Sequence, residues 1–178
     1  MGSTKMTIKN LNEKFLHGIA DIYDAEHQFL KAQQEMLPEA NSTTVKALLQ
    51  QHIQETEQQI TVLEQVFTAL GEKAEREKCA AAAGIVTEGQ KTLKEVSGNP
   101  TLVDLAISGS CGKVEHYEIA TYRMLITGAK QMGQTEIARL LSQNLQQEEA
   151  TAQKIESGAP ALFEQAMAAE ETGRSASA

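Results

Sequence analysis

The 178-residue chain predicts an all-α domain built as a four-helix bundle. Three observations carry that expectation. Apolar residues recur at spacings of three and four over long stretches, whereas the alternation that marks a strand is nearly absent. Only three prolines occur, Pro38, Pro100 and Pro160, and each falls where a long helical pattern breaks. Capping signals and glycines divide the remainder into four segments, each long enough for a helix of about 25 residues, or ~38 Å at 1.5 Å per residue.

The first helix is expected from about Ile8 to Leu37, with the stripe Leu11, Phe15, Ile19, Ile22, Tyr23, Phe29, Leu30 and Leu37, and Pro38 stops it. The second starts after the cluster Asn41-Ser42-Thr43, carries Val45, Leu48, Leu49, Ile53, Ile60, Leu63, Phe67 and Leu70, and ends at Gly71. The third starts after Asn99-Pro100, with Thr101 as cap or first residue, and runs to about Lys130; Gly133 is the hinge. The fourth carries Ile137, Leu141, Leu145, Ala152 and Ile155 and fades near Gly158-Ala159-Pro160, with a short, weakly held helical segment over Ala161 to Ala169. The domain is thus expected over residues 6–168, with 1–5 and 169–178 disordered or foreign to it. Two links are short and join antiparallel neighbours. The link from Gly71 to Pro100, about 30 residues, holds a smaller helical stretch near Cys79 to Val96 and is long enough to return along the bundle. Two helical hairpins joined by one long crossover make the ferritin-like arrangement.

Composition excludes several functions. Hydrophobic residues make up 41% and charged residues 22%, ordinary for a soluble domain. Aromatics are 4% and Trp is absent, so the core is expected to be aliphatic and Ala-rich. A net charge of -8 and a pI near 5.1 argue against nucleic acid or an anionic membrane as partner, since both need a basic surface. No apolar run approaches the roughly 18 residues of a membrane span. Met1 to Asn10 lacks the apolar core of a signal peptide, so a cytoplasmic location is expected. Cys79 and Cys111 have no paired-motif spacing and do not suggest a disulfide framework.

Carboxylates on apolar faces are the departure from this ordinary picture. Residues three, four and seven apart share a helix face. Glu26 has Ile19, Ile22, Tyr23, Phe29 and Leu30 at those offsets, whereas Glu13, Asp21, Asp24 and Glu35 fall on the opposite face. Glu148 is similarly set among Leu141, Leu145, Ala152 and Ile155, with Asn144 and Thr151 beside it, while Glu149 sits at the solvated edge. Glu115 and Glu118 lie one turn apart among Cys111, Val114, Ile119, Tyr122 and Leu125. On the second helix His52 lies inside the stripe, and Glu55 follows at i+3 among glutamines. His17, His27 and His116 read as surface residues. Singly, each inward carboxylate can be a solvated edge, and His52 a satisfied core histidine. Together they place carboxylates at mid-length on all four helices, and like charges buried so closely need a cation or a proton between them. Two divalent metals bridged by Glu26, Glu55, Glu115, Glu118 and Glu148, with His52 as nitrogen ligand, offset that charge. Hard oxygen donors with one imidazole suit iron best, and manganese next, over a thiolate zinc site.

The blocks Asp21-Ile-Tyr-Asp-Ala-Glu26, His52-Ile-Gln-Glu55-Thr56-Glu57, Val114-Glu-His-Tyr-Glu-Ile119 and Gln147-Glu-Glu149 resemble, in order and spacing, the YciF-like family of bacterial stress-associated, ferritin-like proteins. The resemblance covers Met6 to Glu156. It implies a rubrerythrin-related four-helix bundle, a homodimer and a di-metal centre. The ferritin-like pattern also places His three residues after Glu on the second and fourth helices. Here those positions are Gln58 and Thr151, so the nitrogen ligand departs from the pattern.

The leading functional expectation is a di-iron or di-manganese protein that performs redox chemistry on peroxide or dioxygen in stress defence. Tyr23 and Tyr122 share faces with Glu26 and Glu118, where they either pack or donate hydrogen bonds to ligands; Cys111 reads as a buried spacer. The alternatives are iron binding or storage, and a non-enzymatic stress or scaffold protein.

Overall fold

Side-chain caps set the helix boundaries. The Asn10 side chain accepts a hydrogen bond from the Glu13 N–H, the Ser42 hydroxyl from Val45 N–H, and the Asn99 side chain from Leu102 N–H. Pro100 occupies the first turn after Asn99, where a missing N–H costs nothing. The computed structural model describes residues 7–176, with side chains described to residue 172. Among them it contains α1 (Leu11–Met36), α2 (Thr43–Leu70), α3 (Ala80–Glu95), α4 (Pro100–Gln131) and α5 (Thr135–Ala176), with a 3₁₀ turn over Leu37–Glu39. Residues 1–5 and 177–178, expected to be disordered, lie outside the described residues, whereas 169–176, expected to be disordered too, belong to α5. Gly71 ends α2 at φ 73°, and Gly133 turns the chain between α4 and α5 at φ 71°. Both are in the left-handed region that favours glycine.

Two differences from the expected boundaries have physical causes. Asn10 caps α1 two residues later than the apolar pattern begins, and Leu11, counted in the stripe, is 65% exposed on the first turn. Pro160 does not end α5, which continues to Ala176. A proline inside a helix costs about 3 kcal/mol. Beyond it, however, Leu162 and Ala166 are buried, and Leu162 joins the cluster of Ala32, Met36, Val45, Leu49 and Ile107. Burying one leucine returns about 1.5–3 kcal/mol, enough to hold the helix across the break.

The four long helices form a square. α1 and α2 are one hairpin, α4 and α5 the other; α2 packs on α5 and α1 on α4. Neighbours are antiparallel: Tyr23 meets Glu64 and Gln33 meets Thr56 across α1 and α2, and Asn144 meets Tyr122 while Glu156 meets His116 across α4 and α5. The link from α2 to α4 therefore traverses the bundle, and its helix α3 packs across α1 and α4. This is an all-helical, ferritin-like bundle with a long crossover that carries a short helix.

Two buried aspartates pin the connections. Asp104 of α4 accepts hydrogen bonds from the backbone N–H groups of Asn41 (2.7 Å) and Ser42 (2.8 Å), so it caps the start of α2 from another helix. Asp24 of α1 accepts from Cys79 N–H and Arg76 Nε, both at 2.8 Å, and from Gln28, and so fixes the entry to α3. Asp24 was expected to face solvent but is 6% exposed, because the crossover folds over it. Burial opposes its ionisation, yet the backbone donor, Gln28 and Arg76 outweigh that and hold the carboxyl below its ordinary range.

We expect Asp104→Ala to leave the Asn41 and Ser42 donors without their acceptor and to lower stability by about 1–3 kcal/mol. Thermal unfolding is the measurement, with a Tm fall of several degrees. Glu57→Gln, at an exposed position of α2, serves as the control and should stay within about 0.5 kcal/mol.

Candidate metal centre

At mid-length each long helix sends an acid, an imidazole or both into the interior. Glu115 and Glu118, one turn apart on α4, are 0% and 1% exposed; Glu26 on α1 is 0%, and His52 on α2 and Glu148 on α5 are 1% each. These positions lie on the apolar stripes, so the packing that buries Ile19, Leu49 and Leu141 buries the charges with them.

The structure brings His52, Glu115, Glu118 and Glu148 into one group, each offering a ligand atom within 4.8 Å of the others. His52 Nε2 lies 2.8 Å from Glu115 Oε1, but the two are not aligned for an N–H···O bond. Ligands of one cation adopt such a spacing, since bonds near 2.1 Å at right angles put their ends about 3 Å apart. Glu26 stands directly against this group, facing Glu118 and Glu148. One of its oxygens accepts a hydrogen bond from the Tyr122 hydroxyl, which is itself held by Asn144 Nδ2 at 2.9 Å. Glu55, expected among the central carboxylates, sits at the rim instead. It is half-buried and held outward by Thr151 Oγ1 (2.9 Å) and Gln51 Nε2 (2.7 Å), although its charge still acts on His52, Glu115 and Glu148.

The residues at the two positions where the ferritin-like pattern has His take other parts. Thr151 is buried and holds Glu55, while Gln58 is exposed and bonds Gln147. Tyr23 turns away from the centre and donates to Glu64, which leaves Tyr122 as the tyrosine that touches a central carboxylate. His116 is exposed and pairs with Glu156 at 3.0 Å, in keeping with a surface residue. Gln59 was not anticipated. It is 1% exposed, with neither side-chain polar atom bonded, beside the Asn144 contact to its own carbonyl. Its offsets of four from Glu55 and seven from His52 are the signal that placed it on this face.

Both oxygens of Glu115 and of Glu118, Oε1 of Glu148 and Oε2 of Glu26 are buried without a hydrogen-bond donor. Glu115 faces Glu148, and Glu26 faces Glu118, within hydrogen-bonding reach. Ionised carboxylates carry only acceptors, so each such pair needs a proton or a cation between its members. Burial first, and then repulsion among the carboxylates, raises Glu26 and Glu115 to about 8 and Glu118 and Glu148 well above the ordinary range. Burial disfavours the charged form of His52, but Cys111, Glu148 and Glu55 outweigh it and raise the imidazole. A donor set of hard oxygens and one imidazole, buried and lacking donors of its own, fits a divalent metal ion.

The pH dependence of the metal-free protein follows. Acids whose folded-state values lie above the unfolded one bind more protons when folded, so their stability is fully present below about 4.5 and is lost as pH rises through about 8. We expect the Tm of chelator-treated protein to fall steadily between those pH values. A Tm that rises over the same window would contradict the buried-carboxylate account.

Comparison with known proteins agrees with this fold. Residues 10–168 match the family described as a domain of unknown function, DUF892. Protein YciF of Escherichia coli (strain K12) is 32% identical over 151 residues, covering 84% of this chain and 90% of YciF. The crystal structure of that stress protein superposes with a TM-score of 0.83 at 31% identity, covering 88% of this chain and 99% of the other. YcfI of Rhodopseudomonas palustris also reaches 0.83, at 37% identity over 86% of this chain and 98% of its own. A Xanthomonas campestris protein at 22% identity and TM-score 0.72 shares the fold, over 90% of this chain and 98% of its own. The chain, a homologue of YciF, therefore belongs to the DUF892 family.

Proposed function

We propose that this protein is a di-metal carboxylate protein that uses iron, or else manganese, for redox chemistry on peroxide or dioxygen in stress defence. The observation that carries the reading is the set of buried carboxylate oxygens on α1, α4 and α5 that have no donor of their own, with His52 of α2 beside them. His52, Glu115, Glu118 and Glu148 would hold the metal, with Glu26 and Glu55 as the further carboxylates that a second ion needs. When bound, such a pair supplies electrons and open positions for the oxidant.

The chain's own contribution is electrostatic and geometric. Burial of Glu26, Glu115, Glu118 and Glu148 excludes bulk water. Asn144 donates to the Tyr122 oxygen, which directs the Tyr122 proton at Glu26 and fixes that carboxylate. The Tyr122 phenol is held neutral: burial, then the charges of Glu26, Glu148 and Glu118, raises it well above the ordinary range, so it stays a donor throughout the physiological pH span. The raised carboxylates give up protons when a cation arrives and recover them when it leaves.

No helix among the described residues is long and apolar enough to cross a membrane. A cytoplasmic location, where the redox chemistry would take place, is part of the proposal. The family resemblance also supports a homodimer. Light scattering at micromolar concentration is expected to give twice the chain mass, a monomer would reject the dimer, and a shell-sized particle would favour storage.

Metal analysis and anomalous scattering on protein produced with iron and manganese available test the reading directly. Metal at a hundred times its Kd stabilises the folded state by about 2.7 kcal/mol, so chelation at pH 7 should lower Tm by roughly 5–10 °C. Glu115→Gln should shrink that difference, whereas Glu57→Gln should preserve it; equal responses would show that the cluster is not the binding site. Because Glu26 and Glu115 rise to about 8, metal binding at pH 7 should release protons, seen as an enthalpy that varies with the buffer's ionisation heat. Peroxide consumption by the loaded protein is the separate test of redox chemistry. Tight metal binding without turnover would leave a structural metal.

A further inference from the structure

The central ligands are closed to solvent, so a cation must reach them through a seam between helices. Among the described residues, two cavities are found bordering the centre. One, between α1, α3 and α4, measures about 20 Å³, borders His52 and has no carboxylate in its lining. The other is a groove of about 450 Å³ between α2 and α5, lined by Glu55, Gln58, Val62, Gln143, Asn144 and Gln147.

Three features make the larger groove a cation route. Its sole carboxylate, Glu55, is the half-buried acid at the rim, and its charge already acts on Glu115 and Glu148 inside. Asn144 is 0% exposed and lines the groove with its Oδ1 unpartnered, while its Nδ2 reaches Tyr122 and through it Glu26. An unpaired carbonyl oxygen in that position is a donor atom for a cation passing from groove to centre. The remaining polar lining is amide, whose neutral oxygens solvate a divalent ion without trapping it, so the pull comes from the acids beneath. Across the mouth, Gln147 Nε2 donates to Gln58 Oε1 at 3.1 Å, a single exposed contact that can part at little cost.

We propose that the α2–α5 groove is the route by which a divalent cation enters the centre, with the Gln58–Gln147 contact as the bridge that opens and Glu55 as the first carboxylate to receive the ion. The inference rests on the metal-binding reading above. It deepens that reading by assigning roles to a rim carboxylate and to amides outside the ligand group.

The test is the rate of Co(II) uptake by the full metal-free chain, followed by stopped-flow absorbance, with final stoichiometry measured separately. Ala150→Phe fills the groove from an exposed position, and Gln147→Lys sets a positive charge at its mouth. Both should slow uptake roughly tenfold or more while the final cobalt content is unchanged. Gln147→Glu should speed it, and added salt should shrink both charge effects. Ala120→Phe, on the exposed face of α4, should load at the unaltered rate. Unaltered rates in Ala150→Phe and Gln147→Lys, with helicity by circular dichroism intact, would overturn the route and leave the metal site standing. Equal slowing in Ala120→Phe would also overturn it, by showing a general loss of stability. No cobalt uptake by the parent chain would overturn both the route and the metal reading.

Discussion

Like charges buried at the middle of an aliphatic bundle are the constraint on which the rest of this molecule depends. Four carboxyls that are at most 1% exposed share one interior with an imidazole, and their oxygens have almost no donors. Continuum physics makes such an arrangement costly unless protons or cations enter it. The rest of the bundle supplies the rigidity that keeps the groups together regardless. Ile19, Ile22 and Phe29 on α1, Leu49 and Leu63 on α2, Ile107 on α4 and Leu141 on α5 are fully buried above and below the polar layer.

Buried acids of two kinds make the point by contrast. Asp24 and Asp104 are nearly as enclosed as the central glutamates, but every burden of burial is answered by donors: backbone N–H groups in both cases, and Arg76 for Asp24. Those two carboxylates are structural; they tie the crossover and the start of α2 to neighbouring helices. The central four are answered mainly by one another. A fold that satisfies its anchoring acids so fully and leaves its central ones without donors has among the latter a group that could hold a cation.

The same layer explains the departure from the usual ligand pattern. Thr151 occupies a position where an imidazole would reach inward, and it instead holds Glu55 at the rim. His52, one turn earlier on α2, supplies a nitrogen to the group from the other side. The centre is thus asymmetric: three acids and a histidine are gathered tightly, Glu26 is anchored by Tyr122, and Glu55 faces the groove.

Much of this was legible in the chain by itself. Helix class, the capping cluster around Ser42, the glycine stops at Gly71 and Gly133 and the long crossover follow from local periodicity and backbone chemistry, which need no partner, whereas α4 is capped by Asn99, two residues before the expected Thr101. Glu26, Glu115, Glu118, Glu148 and His52 were legible as inward residues for the same reason: a side chain at i±3, i±4 and i±7 from apolar neighbours shares their fate. Three features were decided only in three dimensions. Asp24 looked solvated because its partners, Arg76 and Cys79, lie more than 50 residues away and meet it only when the crossover closes. Pro160 looked like a stop because the burial of Leu162 against α1, α2 and α4 does not appear in local pattern. Glu55 looked central, yet Gln51 and Thr151 hold it at the rim, and its direction depends on a hydrogen bond from a helix 96 residues on. Local periodicity determines which face a residue occupies; which atoms meet across that face is set by the packing of the whole bundle.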